Sequence, residues 1–240
     1  MKNIEILHED DFCIVVGKPA GLAVQGGEGV KTSLDKILSE IRTPAPLLVH
    51  RLDKDTSGVL LAAKGKDAAA RFSGLLGTGG NAVKQYIAVC AGCPEKKEGS
   101  IRQELEIHGR IKKSVTRYRV IKNGKLIMQQ SSRQTEDASD CMEYSVFELE
   151  LGTGRMHQIR RHLAMIGNPI LGDDKYGNFS LNRKLRKETG LKRLLLHASR
   201  LIVNDKTELN IYAPLPEYFH QFTAGSCAAK AGSCAARAGS

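Results

Sequence analysis

Apolar residues open the chain as two short strand-like runs within residues 4–16, broken by His8-Glu9-Asp10-Asp11; the second, Phe12-Cys13-Ile14-Val15-Val16, is rich in strand formers. Gly17-Lys18-Pro19-Ala20-Gly21 follows as a turn, because proline presets φ and glycine supplies positive φ. A glycine-rich loop at 26–29 leads to a helical pattern over 34–41. Short apolar strands are predicted at 47–49 and 59–63, with the compact polar segment 50–58 between them. The pattern then predicts a helix over 67–76, a loop at 77–80 and a strand over 86–90. Residues 101–119 and 142–151 alternate apolar with polar positions, as half-buried antiparallel strands do. A helix over 157–165, stopped by Gly167-Asn168-Pro169, and late strands at 194–203 and 208–212 complete the series. Strands outnumber helices without regular strand–helix alternation, so the expected class is α+β.

From residue 224 the pattern stops. Ala-Gly-Ser-Cys-Ala-Ala-Lys is followed by Ala-Gly-Ser-Cys-Ala-Ala-Arg and a final Ala-Gly-Ser. A period of seven without large apolar residues does not make a coiled coil. The expected organisation is one folded domain over 1–223 and a disordered tail over 224–240. No run approaches the roughly 20 apolar residues of a membrane span. The N-terminal residues lack an apolar signal core, so the expected location is cytoplasmic, with no membrane partner. No amphipathic partner-seeking helix stands out, and a monomer is the default.

Charge adds a direction. With 36 Lys and Arg against 26 Asp and Glu, the net charge is +10, and a surplus of that size favours polyanions, nucleic acid first. It is concentrated: residues 155–200 carry eleven Lys or Arg against three acids, eight of the ten net charges in under a fifth of the chain. Familiar metal and phosphate patterns fail. Cys90-Ala-Gly-Cys93 has no second pair for zinc and reads as ordinary thiols. The loop around Lys31 lacks the glycine that precedes a P-loop lysine. The stretch from Asp53 ends on Lys64 where a calcium loop needs glutamate. His157 and His162, five apart, do not share a helix face. No metal is expected.

Two clusters remain. His50-Arg51-Leu52-Asp53-Lys54-Asp55-Thr56-Ser57-Gly58 crowds carboxylates, cations and hydroxyls into a loop between buried strands; it is either a solvated turn or a reactive loop held by a scaffold. Gly154-Arg155-Met156-His157-Gln158-Ile159-Arg160-Arg161-His162 gathers cationic and amide groups at a helix start, a composition suited to phosphate.

The nine-residue aspartate loop resembles the catalytic loop of the RluA-type RNA pseudouridine synthases, and four further segments resemble that family in the same order. These are Gly17-Lys18-Pro19-Ala20-Gly21-Leu22, Lys84-Gln85-Tyr86-Ile87-Ala88, the arginine segment from Gly154 through Gly172-Asp173, and Leu194-Leu195-Leu196-His197-Ala198. The chain departs from the family at Gly17 and Met156, and it begins without the RNA-binding S4 domain of many relatives. The resemblance implies a mixed, largely antiparallel sheet flanked by helices, with a central RNA-binding cleft. It also implies an isomerase that needs no cofactor and converts uridine in structured RNA to pseudouridine. Asp53 is then the carboxylate that attacks the sugar or removes its proton. Arg160 is its cationic partner, and Tyr86 is the face that receives a flipped base. Leu195 and Leu196 back that face, and Arg51 fills the space the base leaves. His50, Lys84, Arg155, His157, Gln158 and Arg161 serve RNA binding. The stretch 173–193 looks more like the large-subunit ribosomal members than the tRNA ones. The competing readings are a tRNA-directed synthase and a non-catalytic RNA-binding protein.

Overall fold

A computed structural model describes residues 4–77, 79–107, 109–128, 141–205 and 208–224. The repeat that begins at 224 therefore lies, beyond its first residue, outside the described residues. The strands are β1 (Glu5–Glu9), β2 (Cys13–Lys18), β3 (Leu47–Leu48), β4 (Ser57–Ala63), β5 (Ala82–Ala91), β6 (Glu98–Ile107), β7 (Arg110–Ile127), β8 (Cys141–Leu151), β9 (Leu196–Asn204) and β10 (Glu208–Tyr212). The helices are α1 (Leu34–Ile41), α2 (Lys66–Leu76), α3 (Gln158–Met165), α4 (Phe179–Thr189) and the short α5 (His220–Thr223).

All ten strands join one sheet in the order β1-β2-β4-β9-β5-β8-β7-β6, with β10 on β9 and β3 on β4. Every pairing is antiparallel except β4 with β9, which run parallel with Ser57 opposite His197 and Gly58 opposite Ala198. At this parallel seam Gly58 has φ +116°, and a Cβ there would sit 2.1 Å from the Ala198 carbonyl oxygen. Only glycine fits so close a backbone approach. β4 is buried at all seven positions, which explains its unbroken apolar run: both faces of the sheet are covered there.

The larger core packs Leu34 and Leu38 of α1, Ile159 and Leu163 of α3, Tyr86, Leu196 and the C-terminal Phe219 and Phe222 against the sheet. On the opposite face α2 places Ala68, Phe72 and Leu76, one helical turn apart, over Val59, Leu61, Leu201 and Val203. The α+β expectation holds.

Several boundaries move. The region 101–119 is not one strand but the greater part of a long hairpin, β6 and β7, and β7 runs on to Ile127 through a register shift between Val120 and Lys122. β9 begins at Leu196, two residues later than expected, because Leu195 N–H donates instead to the Leu171 carbonyl (3.0 Å). Helix α4 has no counterpart among the expected elements. It shows Asn178 accepting from Leu181 N–H at its start and left-handed Gly190 (φ +71°) at its end.

Candidate active site

The loop between β3 and β4 is tied down from below. Lys18, at the end of β2, is 1% exposed, and its ammonium donates to the carbonyls of Lys54 (2.9 Å), Leu22 (2.9 Å) and Pro19 (3.1 Å). Gly21 N–H donates to the same Lys54 carbonyl (2.8 Å), and Thr56 N–H closes a turn on the Asp53 carbonyl (3.1 Å). Burial drives the Lys18 pKa down to about 7, against the attraction of Asp55 and Asp53. Leu52 points into the core. Asp53, one residue on, faces out with its side chain 22% exposed.

Asp53 stands between two cavities. One, of about 640 Å³, is lined by Val24, Gln25, Gly26, Lys54, Asp55 and Lys175. The other, of about 720 Å³, is walled by Tyr86, Leu196, Ile159 and Leu151, with Thr56, Lys84 and Arg155 among its polar groups. Arg51, Leu52, Asp53, His157 and Arg160 line both. Sheet register explains the apolar wall. Tyr86 pairs with Ala198 and Ala88 with Leu196 across β5 and β9, so Tyr86 and Leu196 share a face. Burial, with the Asp53 charge adding to it, pushes the Tyr86 phenol pKa up. Among the described residues, two buried side-chain polar atoms lack a hydrogen-bond partner, Thr56 Oγ1 and Arg155 Nε. Both residues line the second cavity.

The expected site residues divide. Asp53, Tyr86, Arg51, Arg155, His157 and Leu196 come together around the cavities. Leu195 does not: it is fully buried in the core and turned away from the cavity lining, as alternation along an extended chain requires. Arg160 is not hydrogen-bonded to Asp53. It gives a two-pronged bond to buried Asp173 (Nε–Oδ2 2.8 Å, Nη2–Oδ1 2.7 Å) and a further one to Asp174 (3.0 Å). The Asp53 charge reaches it only through space. Gln158 lines the second cavity but is 2% exposed and bonded to the scaffold: it accepts from Thr153 Oγ1 (2.7 Å) and Arg155 N–H (3.1 Å), and donates to the Val115 carbonyl (2.9 Å). His50 likewise serves the loop. Its Nε2 accepts from Leu61 N–H (2.9 Å), and burial, helped by the Lys84 charge, lowers its pKa to about 3, so the ring offers phosphate no charge. Lys84 donates to the Leu76 carbonyl at the end of α2 while lining the second cavity. Arg161 donates to the Glu106 carbonyl (3.1 Å) and lies off both cavities.

His157 is the N-terminal flank of α3, not its first helical residue, with φ +53°. The anchoring by Lys18 and by the Arg160–Asp173 pair is not readable from the sequence pattern, because a buried cation and its oxygen partners leave no periodic signal. Away from the site, His8, Asp10 and Cys13 bring potential metal-ligand atoms within 4.8 Å. One Asp10 oxygen already accepts the Phe12 and Cys13 N–H groups, and burial holds the Cys13 thiol up at about 12, against the thiolate a metal would need.

The Asp53 carboxylate is thus set between an apolar-walled cavity and a polar one, within a cationic rim. Comparison with known proteins gives the family. Residues 12–165 match the family model described as RNA pseudouridylate synthase. The chain is 35% identical over 227 residues to the ribosomal large subunit pseudouridine synthase C of Rickettsia bellii, covering 90% of this chain and 70% of that protein. It is 36% identical over 194 residues to the mitochondrial RNA pseudouridine synthase 4 of Arabidopsis thaliana, covering 72% and 40%. The solved structure of human RNA pseudouridylate synthase domain containing 4 superposes with a TM-score of 0.70 at 27% identity, covering 91% of each chain. The chain belongs to the RluA-type RNA pseudouridylate synthase family and is an isomerase that converts uridine in RNA to pseudouridine.

Proposed function

We propose that the protein isomerises specific uridines of large-subunit ribosomal RNA, with Asp53 as the reacting carboxylate and the cavity between Tyr86 and Leu196 as the seat of the base. The observation that carries this reading is one partly exposed carboxylate beside a cavity with an apolar wall, lined also by Thr56 and Arg155, each of which has a buried side-chain atom without a partner. A uracil taken out of its stack needs a flat apolar face and a few groups for its polar edge. Tyr86 and Leu196 supply the face. Thr56 Oγ1 and Arg155 Nε are the groups left for the edge, since buried polar atoms without partners cost stability until a ligand completes them. Arg51, exposed at the mouth of both cavities, is placed to fill the gap a flipped base leaves in the RNA.

The isomerisation balances within the substrate. The N1–C1′ bond breaks, the ring turns, a C5–C1′ bond forms, and the C5 proton leaves while N1 gains one. No oxidant or outside group enters. Asp53 serves the sugar, by attack at C1′ or by taking the C2′ proton. The ribosomal assignment is supported by the names of relatives across most of the chain. The partner is then structured RNA, bound by a single copy in the cytoplasm.

Tritium release from C5-labelled uridine tests this, using unmodified transcripts of large-subunit rRNA, small-subunit rRNA and tRNA. Release is expected from the large-subunit transcript. Asp53→Asn is expected to lower it at least about a thousandfold while RNA affinity stays within about twofold, since the change removes a reacting group and no phosphate contact. Release from tRNA alone moves the substrate class, and a variant keeping a tenth of wild-type turnover removes Asp53 from its role.

A further inference from the structure

The side chain that faces Asp53 is a histidine. His157 Nε2 lies 3.8 Å from Asp53 Oδ1. Its other ring nitrogen, Nδ1, is 3.1 Å from the Tyr176 hydroxyl, and the two rings meet edge to face at 5.6 Å. Among the described residues His157 alone, glycines aside, has a positive φ. Strain of that kind persists where its surroundings over-determine it, and it concentrates at functional sites. Here the left-handed turn carries the ring to the Asp53 side of the helix start.

Tyr176 is itself fixed. Asp173 Oδ1 accepts the N–H groups of Lys175 (2.8 Å) and Tyr176 (2.9 Å), and the same carboxylate is held by both prongs of Arg160. The Arg160 guanidinium also lies over the Tyr176 ring at 5.3 Å. Contacts thus run from Arg160 to Tyr176, through Asp173 to its backbone and directly over its ring, and from the Tyr176 hydroxyl to His157, whose Nε2 approaches Asp53 at 3.8 Å.

We propose that His157 and Tyr176 are positioning residues for the Asp53 carboxylate, and that the Arg160–Asp173 pair is the mount that holds them. The inference rests on Asp53 being the reacting group. The tautomer follows from electrostatics. A lone pair on Nε2 facing the carboxylate would set two acceptors against each other, whereas a proton there attracts it. Tyr176 therefore donates to Nδ1, and the ring carries its proton on Nε2. The charged groups around the ring are Asp53, Arg160, Lys175 and Asp173. Burial, joined by the two cations and opposed by the two carboxylates, keeps the imidazole below its usual pKa and hence neutral near pH 7. The arrangement gives the Arg160 side chain a place in the site without a hydrogen bond to Asp53.

Long-range nitrogen–proton spectra of the free protein read the tautomer without any turnover. The Nε2–H form is expected at His157, giving way to a mixture in Tyr176→Phe. An Nδ1–H ring in the wild type overturns the proposal. In kinetics, Tyr176→Phe is expected to lower kcat about tenfold with KM unchanged, as loss of orientation does. His157→Asn, which tolerates the left-handed backbone, is expected to lower kcat about a hundredfold. Adding Tyr176→Phe to it is expected to cost nothing more, because the two act through one contact. Independent, multiplying losses, or a change confined to KM, overturn it. If Asp53→Asn stays active, the assignment of Asp53 fails instead, and the tautomer result stands apart from that failure.

Discussion

At the scale of single residues, the fold holds three histidines besides His157 neutral. His50 accepts from Leu61 N–H; fully buried His162 lies between Ser114 Oγ (2.8 Å) and Thr116 Oγ1 (2.9 Å); His197 lies between Ser57 Oγ (2.9 Å) and the Ala213 carbonyl (3.2 Å). Burial lowers their pKa values to about 3, 4 and 4, with a nearby Lys84 or Arg161 charge assisting at the first two and the Ala213 bond opposing at the third. Each folded value lies below the ordinary value near 6.5 of an unfolded chain. The stabilisation is therefore complete above pH 6.5 and is lost as pH falls from there toward 4, on the order of 1 kcal/mol per ring per pH unit at most. Urea unfolding should show a clearly lower midpoint at pH 5 than at pH 7; equal midpoints would mean the rings charge inside the fold. Glu9, held near 2 chiefly by its hydrogen bonds to Arg42 and Lys64, acts mainly below its ordinary value of 4.5 and so bears little on the comparison of pH 5 with pH 7. These residues also mark the limits of reading a sequence. His50 and Gln158 stand in motifs that advertise chemistry, but their hydrogen bonds go to backbone and scaffold, and residue type alone does not separate a group that meets RNA from one that supports its neighbour.

At the scale of elements, the parallel seam is the most demanding junction. Gly58→Ala must place a methyl group within 2.1 Å of the Ala198 carbonyl oxygen and accept φ +116°. A cost of about 3 kcal/mol is expected from backbone strain and overpacking together. Thermal unfolding of the variant checks it, and an unchanged midpoint would show that β4 and β9 can part without penalty. Alternation and apolar runs made most strands legible, because sheet faces impose a period of two; the 47–49 strand, helix α1 and β10 lie where the pattern puts them, while β1 runs on through His8 and Glu9 and β2 through Gly17 and Lys18, positions that read as breaks. The seam itself was invisible, since nothing local in Ser57-Gly58 tells which distant strand it will meet. Helix α4 was hidden for another reason. It buries Leu185 alone, so its apolar stripe is too thin to read, and its dense Lys and Arg drew attention to charge instead of to Asn178 and Gly190 at its ends.

At the scale of the whole molecule, the net charge of +10 has a definite geography. Arg183, Arg186 and Lys187 are exposed on α4, with Lys192 and Arg193 just beyond its end, while Asn182 ties that helix to Gly172 N–H (2.9 Å) and the Asp173 carbonyl (2.8 Å) at the site. Replacing Arg183, Arg186 and Lys187 with Gln is expected to flatten the log–log salt dependence of RNA binding by about two units, at about 0.7 per phosphate contact. Competition binding across a salt series measures it, and an unchanged slope would place α4 away from the RNA. The resemblance across the five segments made the chemistry legible; what it left unsaid was the wiring between them, such as the path from Arg160 to Asp53.

The seam has a further consequence, in time. Ser57 and His197 are 140 residues apart in the chain, and pairings of such separation form late. A growing polypeptide therefore exposes its aspartate loop long before β9 exists to brace it or Leu196 to wall its cavity. Proteins are made on a particle built largely of RNA, the class of molecule this one alters. The loop around Asp53 is synthesised early and completed late, when β9 pairs beside Ser57 and Gly58.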